Sequence, residues 1–203
     1  MKNKNFWKEG LYHIWSIILA LSIFLGALSL SISLNSSDLN YYHKFQIDNG
    51  IDLVTGKSQE ELDKITYDLT SYLDNGQESL LKKHFNEREI AHMRDVFSLY
   101  ELNRRVTSIS VTVVVLTLIL NLVFKNRARM TKKTLYYLIG LIAISVIFAV
   151  LASTDFNKYF VGFHELFFDN DLWLLDPATD LMIQMLPLNF FTGIAKNIFI
   201  YFA

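Results

Sequence analysis

The sequence predicts a mainly α-helical, polytopic membrane protein with four transmembrane helices and a small mixed α/β cap outside the membrane. Two features of composition support this fold class. Apolar residues make up 52% of the 203 residues, whereas charged residues make up only 19% and are strongly segregated along the chain. Cysteine is absent, so a scaffold held together by disulfides is excluded.

Four stretches are long enough to cross the hydrocarbon core of a bilayer, which takes about 20 helical residues. Residues 14–34, 106–124 and 134–154 contain no charged side chain. Residues 181–203 contain only Lys196, whose aliphatic stem can carry its ammonium group to the membrane surface. We therefore predict one transmembrane helix in each stretch.

The basic residues predict the orientation of these helices. Lysine and arginine are concentrated in residues 1–13 and in the short loop 125–133, and such segments stay on the cytoplasmic side of a membrane. The acidic segments 35–105 and 155–180 are then extracytoplasmic. The formal net charge of −1 leaves no basic surplus to neutralise phosphates, so no nucleic-acid partner is expected.

The first outer segment, 35–105, predicts a cap of mixed secondary structure. Apolar and polar residues alternate over 41–47 before Asn49-Gly50, which is typical of a β-hairpin. Ser58 and Glu61 have the spacing of a capping box, which predicts a helix start. Asn86 begins a second such start, and from there to residue 124 no proline or glycine interrupts a helix that continues into the second span.

The second outer segment, 155–180, is rich in aromatic residues, which collect at the boundary between water and lipid. Asp176-Pro177 predicts the start of the fourth membrane helix, because aspartate is a preferred N-cap and proline a preferred first residue. Pro187 should kink that helix.

Histidines and carboxylates are the candidate catalytic groups, because the usual nucleophile and metal motifs are missing from the sequence. His92 and Asp95 are one helical turn apart, which allows the carboxylate to orient the imidazole. His164 precedes Glu165 and a run of further acids near the same membrane face. The alternative interpretation is that both histidines are capped helix residues that form hydrogen bonds only to the backbone.

At these motifs the sequence resembles the lipoprotein intramolecular transacylase (Lit) family of Gram-positive bacteria. The resemblance is carried by four segments: His-Met-Arg-Asp-Val at 92–96, Phe-His-Glu-Leu-Phe-Phe at 163–168, Trp-Leu-Leu-Asp-Pro-Ala-Thr-Asp at 173–180, and Met-Leu-Pro at 185–187. It extends over nearly the whole chain, including the four predicted spans, and is least specific over residues 35–80.

The resemblance implies an acyltransferase of the cytoplasmic membrane whose active site faces the extracytoplasmic side. Its substrate is a diacylated lipoprotein within membrane lipid. The sn-2 acyl chain moves from the diacylglyceryl group onto the α-amine of the N-terminal cysteine and leaves a lyso-form lipoprotein. A histidine with an unperturbed pKa near 6.5 can accept the proton of an attacking amine, so neither an acyl-enzyme nor a cofactor is required.

By the same resemblance the two catalytic histidines are His92 and His164. Chemistry assigns one the role of general base and the other that of donor to the oxyanion or to the leaving oxygen, and we take His164 as the base. The orienting or substrate-binding candidates are Asp95, Arg94, Glu165, Trp173, Asp176 and Asp180, and no metal is expected. Both imidazoles should converge on a cavity that opens to the outer leaflet.

Two other classes of function stay open on the sequence alone. His92, Asp95, His164 and Asp176 could ligate a metal, which would make the protein a metal-dependent membrane hydrolase. Alternatively, the protein is a noncatalytic membrane subunit whose acidic cap binds a partner.

Overall fold

The structure is a computed structural model that describes residues 2–123 and 127–202, and within them all regular structure is helical. Residues 124–126, where the second predicted span ends and the predicted basic loop begins, lie outside the described residues. The helices are α1 (Lys2–Ser36), α2 (Leu39–Asp48), α3 (Ile51–Thr55), α4 (Gln59–Asn75), α5 (Glu87–Val123), α6 (Arg127–Thr154), α7 (Phe156–Phe167), α8 (Leu181–Met185) and α9 (Leu188–Phe202). A short 3₁₀ turn, Leu81–Lys83, precedes α5.

Among the described residues, three helices are long and apolar enough to cross a membrane. Their candidate spans are Glu9–Ser36 in α1, Glu87–Leu120 in α5 and Arg129–Thr154 in α6. They contain nearly all of the first three predicted spans. As predicted, α5 is one uninterrupted helix from the cap sequence into the second span.

The fourth predicted span, 181–203, is not confirmed as one transmembrane helix. Residues 186–187 separate the short helix α8 from α9, because Pro187 lacks the amide hydrogen that a continuous helix needs there. The 15 residues of α9 rise about 22 Å, which is less than the roughly 30 Å of a hydrocarbon core.

The chain divides into two compact units. The first, which we call the membrane-helix unit, comprises Met1–Ser31, Asn103–Thr154 and Phe202–Ala203, and the second, the site unit, comprises Ile32–Leu102 and Asp155–Tyr201. In the membrane-helix unit, Gly26 has no side chain and so allows Ser110 to approach closely. A Cβ atom at position 26 would lie only 3.1 Å from the Cβ atom of Ser110. Polar contacts also join α1 to α6: the Ser16 hydroxyl donates to the carbonyl of Met130 over 3.3 Å.

The site unit has its own hydrophobic core, which lies between the cap helices and the segment 181–190. Burial of these side chains is the main stabilising contribution of the unit, at about 1.5–3 kcal/mol for each large apolar residue. The buried core residues are Tyr42, Ile51, Leu62, Ile65, Leu69, Tyr72, Leu73, Leu81, Phe85, Ile90, Met93, Met182, Met185, Leu186 and Phe190.

The β-hairpin predicted for the cap is wrong, since its residues form α2 and α3, and no strand occurs in the parts of the chain that the structure describes. The cap is therefore helical and not mixed α/β. The buried side chains of α2 are Tyr42 and Gln46, which are four positions apart and therefore lie on the same face of a helix. A strand would have buried every second residue instead. Gly50 adopts a left-handed φ of 61° in the turn between α2 and α3. This conformation is as suitable for a turn between two helices as for a hairpin turn.

The predicted helix starts are confirmed for α4 and α5. The Ser58 and Glu61 side chains form a capping box in which each accepts from the other's backbone N–H. The backbone N–H of Asn86 donates to the Glu89 carboxylate over 2.8 Å, and the Glu89 N–H donates to the Asn86 side chain over 3.0 Å. These bonds satisfy amides that a helix end leaves without partners.

The start predicted at Asp176-Pro177 is wrong, because α8 begins at Leu181. Residues 176–180 form a turn in which the Asp180 N–H donates to the carbonyl of Asp176 over 2.8 Å. The cap of α8 comes from another helix: the Met182 N–H donates to the buried Glu89 carboxylate over 2.6 Å. A long-range contact thus decides where this helix begins.

Candidate active site

His92 lies in the second turn of α5, where the capping box fixes the helix start. Its side chain is 8% exposed, so it is buried in the site unit. The ring packs edge-on against Phe168, with centroids 5.5 Å apart. Its Nδ1 atom is buried and has no hydrogen-bond partner among the described residues.

His164 lies in the last turn of α7, whose first turn is capped by the Asp155 carboxylate through the N–H of Lys158. Its side chain is 7% exposed. Nδ1 lies 2.7 Å from the carbonyl oxygen of Phe160. A carbonyl can only accept, so Nδ1 carries the hydrogen and the lone pair of the neutral ring stands on Nε2.

The two imidazoles lie together, as the sequence analysis predicts. Their ring centroids are 6.1 Å apart and their planes are inclined by 30°. One substrate atom can lie within about 3 Å of a nitrogen of each ring at this separation. The pair is therefore close enough to serve a single reacting centre.

Aromatic side chains surround His164. Phe160 is 4.4 Å away and Trp173 is 4.8 Å away between ring centroids, with the indole inclined by 32° to the imidazole. Phe163 and Phe168 are each 5.5 Å away. Little of either imidazole is open to the surface, because these rings surround His164 and Phe168 also packs against His92.

Burial also sets the protonation state of His164. Burial lowers the pKa of its imidazole below the usual range, and the hydrogen bond to the Phe160 carbonyl offsets only part of this decrease. The ring is neutral at pH 7 as a result. A neutral ring with its lone pair on Nε2 is the form that a general base requires.

Asp95 is directed to a loop rather than to His92. Its carboxylate accepts from the side-chain amide of Asn170 over 2.9 Å. The carboxylate remains one turn from His92 on the same helix, so a change of partner needs only a side-chain rotation.

Arg94 and Glu165 do not join the two histidines. The Arg94 guanidinium binds the Glu78 carboxylate through two nitrogens, at 2.5 and 2.9 Å. This pair lowers the pKa of Glu78. Glu165 is exposed, and it makes no hydrogen bond or ion pair with the residues that the structure describes.

Asp176 and Asp180 organise the turn before α8. The Asp176 carboxylate accepts from the N–H of Ala178 over 2.9 Å. Asp180 is buried and accepts from the N–H of Asp176 and from the Asn86 side chain, at 2.8 and 2.9 Å. These bonds, the one from Asp176 foremost, lower the pKa of Asp180.

Within residues 2–123 and 127–202, no three histidine or acidic side chains lie close enough together to hold a metal ion. The four ligands considered for a metal-dependent hydrolase, His92, Asp95, His164 and Asp176, do not form such a group.

Three groups that shape the site were not predicted from the sequence. The Phe160 carbonyl fixes the tautomer of His164, Asn170 binds Asp95, and Arg88 donates to two carbonyls of the loop that carries Trp173. The spacing of Arg88, His92 and Asp95 is the one signal that could have placed Arg88 here, since residues four and seven apart share a helical face.

The fold and the site define a multi-pass helical membrane protein with a buried pair of histidines suited to acid–base chemistry. Comparisons with known proteins identify the family. The sequence profile of the lipoprotein intramolecular transacylase Lit matches residues 17–191. The chain belongs to this family of transacylases. No curated relative matches the sequence.

Solved structures of Lit from Bacillus cereus have the same fold. One has a TM-score of 0.81 at 22% identity, and the match covers 96% of this chain and 90% of that one. A histidine-to-arginine variant of that protein gives 0.79 at 22% identity over 100% and 90% of the two chains. A histidine-to-alanine variant gives 0.80 at 20% identity over 98% and 90%. These proteins are membrane-integral, in agreement with the three long apolar helices found here.

Proposed function

We propose that this protein transfers the sn-2 acyl chain of a diacylglyceryl-modified lipoprotein to the α-amine of the lipoprotein's N-terminal cysteine. The observation that carries the proposal is the buried pair of imidazoles with ring centroids 6.1 Å apart, in which His164 presents its Nε2 lone pair. Membership of the Lit family supplies the class of reaction.

His164 acts as the general base. The amine nitrogen attacks the ester carbonyl carbon, and Nε2 accepts the proton that the nitrogen loses as the carbon–nitrogen bond forms. An unperturbed α-amine has a pKa of about 7.7–8.0, but its acidity rises steeply once the nitrogen has bonded to carbon. The lowered pKa of His164 therefore suits this transfer.

His92 stabilises charge on the other side of the reacting carbon. The attack places negative charge on the carbonyl oxygen, and an imidazole N–H that donates to it lowers the barrier. The buried Nδ1 of His92, which has no partner among the described residues, supports this role. A buried polar atom left unpaired costs about 1–3 kcal/mol, which a substrate contact can recover.

The proton that His164 accepts is returned within the same reaction. The carbon–oxygen bond to the glyceryl group breaks as the tetrahedral intermediate collapses, and Nε2 of His164 gives the leaving oxygen the proton that it accepted from the amine. Both imidazoles are then neutral again, so there is no net uptake or release of protons. The products are an N-acyl amide and a free sn-2 hydroxyl, and no acyl-enzyme forms.

Other candidate residues hold the site or the substrate. Asp95 keeps its hydrogen bond to Asn170 and places its negative charge one helical turn from His92, and Trp173 packs against the base and borders the acyl chain. Arg94, Glu165, Asp176 and Asp180 stay outside the chemical step as predicted contacts of the peptide or lipid headgroup. Holding the amine and the ester together contributes most of the remaining rate, because both groups belong to one substrate.

The active site faces the extracytoplasmic side, where a lipoprotein substrate is anchored in the outer leaflet. The basic residues of 1–13 and 125–133 support this orientation. The segment 181–203 enters the membrane as a fourth, interrupted helix.

Mass spectrometry of lipoprotein N-termini tests the function. Purified protein in lipid vesicles is given a synthetic diacylated lipopeptide. We expect a product of unchanged mass in which one acyl chain is amide-linked to the cysteine. Release of free fatty acid that a chelator abolishes would identify a metal-dependent hydrolase instead. An unchanged substrate would favour the noncatalytic membrane subunit.

A further inference from the structure

The loop that carries Trp173 is fastened to α5 at two points. One nitrogen of the Arg88 guanidinium donates to the carbonyl oxygens of Asp171 and Leu174, at 2.5 and 3.1 Å. The side-chain amide of Asn170 donates to the Asp95 carboxylate over 2.9 Å. We call residues 169–175 the strap.

The strap is also closed upon itself. The N–H of Leu174 donates to the carbonyl of Asp171 over 3.1 Å, and the N–H of Leu172 donates to the Asn170 side chain over 3.0 Å. Arg88 thus binds the two carbonyls that bracket Trp173, so the position of the guanidinium fixes the position of the indole.

The two fastenings stand on either side of a catalytic residue. Arg88, His92 and Asp95 occupy positions i, i+4 and i+7 of α5, which face the same side of a helix. The strap therefore spans the face of α5 that presents His92, while its indole lies on the other histidine, with 4.8 Å between the centroids of Trp173 and His164.

We propose that Arg88 and Asn170 are positioning residues, which act through the strap to hold Trp173 against His164 and so fix the orientation of the general base. The inference rests on the proposed function. Arg88 is an exposed arginine at the start of a helix, where a solvated side chain is the ordinary expectation, yet its hydrogen bonds go to the backbone of the strap and not to a carboxylate. Such charge-assisted bonds are stronger than bonds between neutral groups, so two of them can order a short loop.

The first measurement reports on Trp173 alone. The chain has three tryptophans, and Trp7→Phe with Trp15→Phe leaves Trp173 as the only one. Trp7 is exposed and the Trp15 indole nitrogen makes no hydrogen bond with the described residues, so both changes should be tolerated. In this background we expect Arg88→Met to increase quenching of the Trp173 fluorescence by acrylamide, because the strap detaches.

The second measurement is transfer activity. We expect Arg88→Met to lower kcat about 10-fold to 100-fold with a smaller change in KM, since misplacing a group by about 1 Å can cost a factor of 100. Arg88→Lys should recover part of the loss, because an ammonium can still donate to both carbonyls. Asn170→Ser, which releases the other end of the strap, should reproduce both the quenching and the kinetic effect.

A double-mutant cycle tests whether Arg88 acts through Trp173. If it does, Arg88→Met causes no further loss of kcat once Trp173→Leu is present. Losses that multiply would overturn the inference, as would full activity of the Arg88→Met and Asn170→Ser variants. Lys83→Met, which removes another exposed cation of the site unit, is the matched control and should leave both readouts unchanged.

Failure of the proposed function looks different from failure of this inference. If the protein does not transfer acyl chains, the parent itself is inactive, while the quenching of Trp173 still responds to Arg88→Met. If the parent is active and Arg88→Met matches it, only the positioning role is wrong. Thermal unfolding shows whether each variant is folded. If Arg88→Met does not fold, Arg88→Lys replaces it in the quenching and activity measurements.

Discussion

Replacing His164 with asparagine separates the proposed base from its structural role. The amide nitrogen of asparagine is attached to Cγ, as Nδ1 of histidine is, so it can still donate to the Phe160 carbonyl, which His164 reaches over 2.7 Å. Nε2, the atom that carries the lone pair, has no counterpart in asparagine. His164→Asn thus keeps the helix contact and removes the base.

The expected loss of activity is large compared with the loss of stability. General base catalysis contributes about 100-fold to 10,000-fold to a rate, or roughly 2.7–5.5 kcal/mol. Asparagine loses the two nearest ring contacts of His164, with Phe160 and Trp173, at 4.4 and 4.8 Å between centroids. Each such ring pair contributes about 0.5–1.5 kcal/mol, so the loss of these two contacts lowers the free energy of unfolding by about 1–3 kcal/mol.

The assay is the initial rate of lyso-lipopeptide formation in vesicles, followed by mass spectrometry, together with thermal unfolding of the same preparation. His43→Asn is the matched control, because His43 is exposed on α2 and pairs with Asp63 over 2.8 Å, away from the two histidines. We expect the control to retain parental activity. If His164→Asn is folded and works within about threefold of the parent rate, a factor far below that of a general base, His164 is not the base.

The pH dependence of stability should change in the same variant. Because the pKa of folded His164 is lowered, the unfolded chain binds a proton first as the pH falls. The neutral side chain therefore contributes stability above the unfolded pKa of about 6.5, and this contribution is lost as the pH falls through the window between that value and the lowered folded pKa. Thermal unfolding between pH 7.5 and 4.5 should show a smaller acid-side loss for His164→Asn than for the parent.

The remaining predictions concern the second histidine, helix packing and topology. His92→Gln should lower kcat at least about 100-fold and destabilise the protein by about 0.5–1.5 kcal/mol for each of the lost ring contacts with Phe168 and His164, and the same lipopeptide assay and thermal unfolding check this. Gly193→Ala should destabilise the protein by about 1–3 kcal/mol, measured by thermal unfolding, because its Cβ would overlap the Tyr41 hydroxyl that donates to a backbone carbonyl over 3.0 Å. In this cysteine-free chain, Asn75→Cys should react with an impermeant thiol reagent in intact cells and Asn126→Cys should not, and the reverse labelling would invert the predicted topology.

The sequence by itself determined the features that depend on local composition and spacing. Charge-free runs of about 20 residues predict membrane helices regardless of their neighbours, because no tertiary contact is needed to make lipid the preferred surroundings. The capping boxes at Ser58 and Asn86 are equally local, since each is completed within one helical turn. The resemblance at residues 92–96 and 163–168 led to the family that the profile confirms.

Only the tertiary structure decided the features that depend on distant partners. The hairpin prediction failed because burial of Tyr42 and Gln46 favours a helix where the alternation of residues favours a strand. The start of α8 is set by the Glu89 carboxylate, which lies 93 positions from Met182 in the sequence. No spacing rule indicates such a contact.

For the same reason, only part of the site could be predicted from the sequence. Two histidines in two motifs could be paired by resemblance, but their separation of 6.1 Å and the tautomer of His164 follow from how α5 and α7 pack within the site unit. Arg94 and Arg88 are both arginines near the start of α5, and sequence reasoning selected the first. In the folded protein Arg94 binds the Glu78 carboxylate and Arg88 binds backbone carbonyls of the strap. The contacts of such long side chains depend on which residues the fold brings near them, and neighbouring positions in the sequence do not indicate these residues.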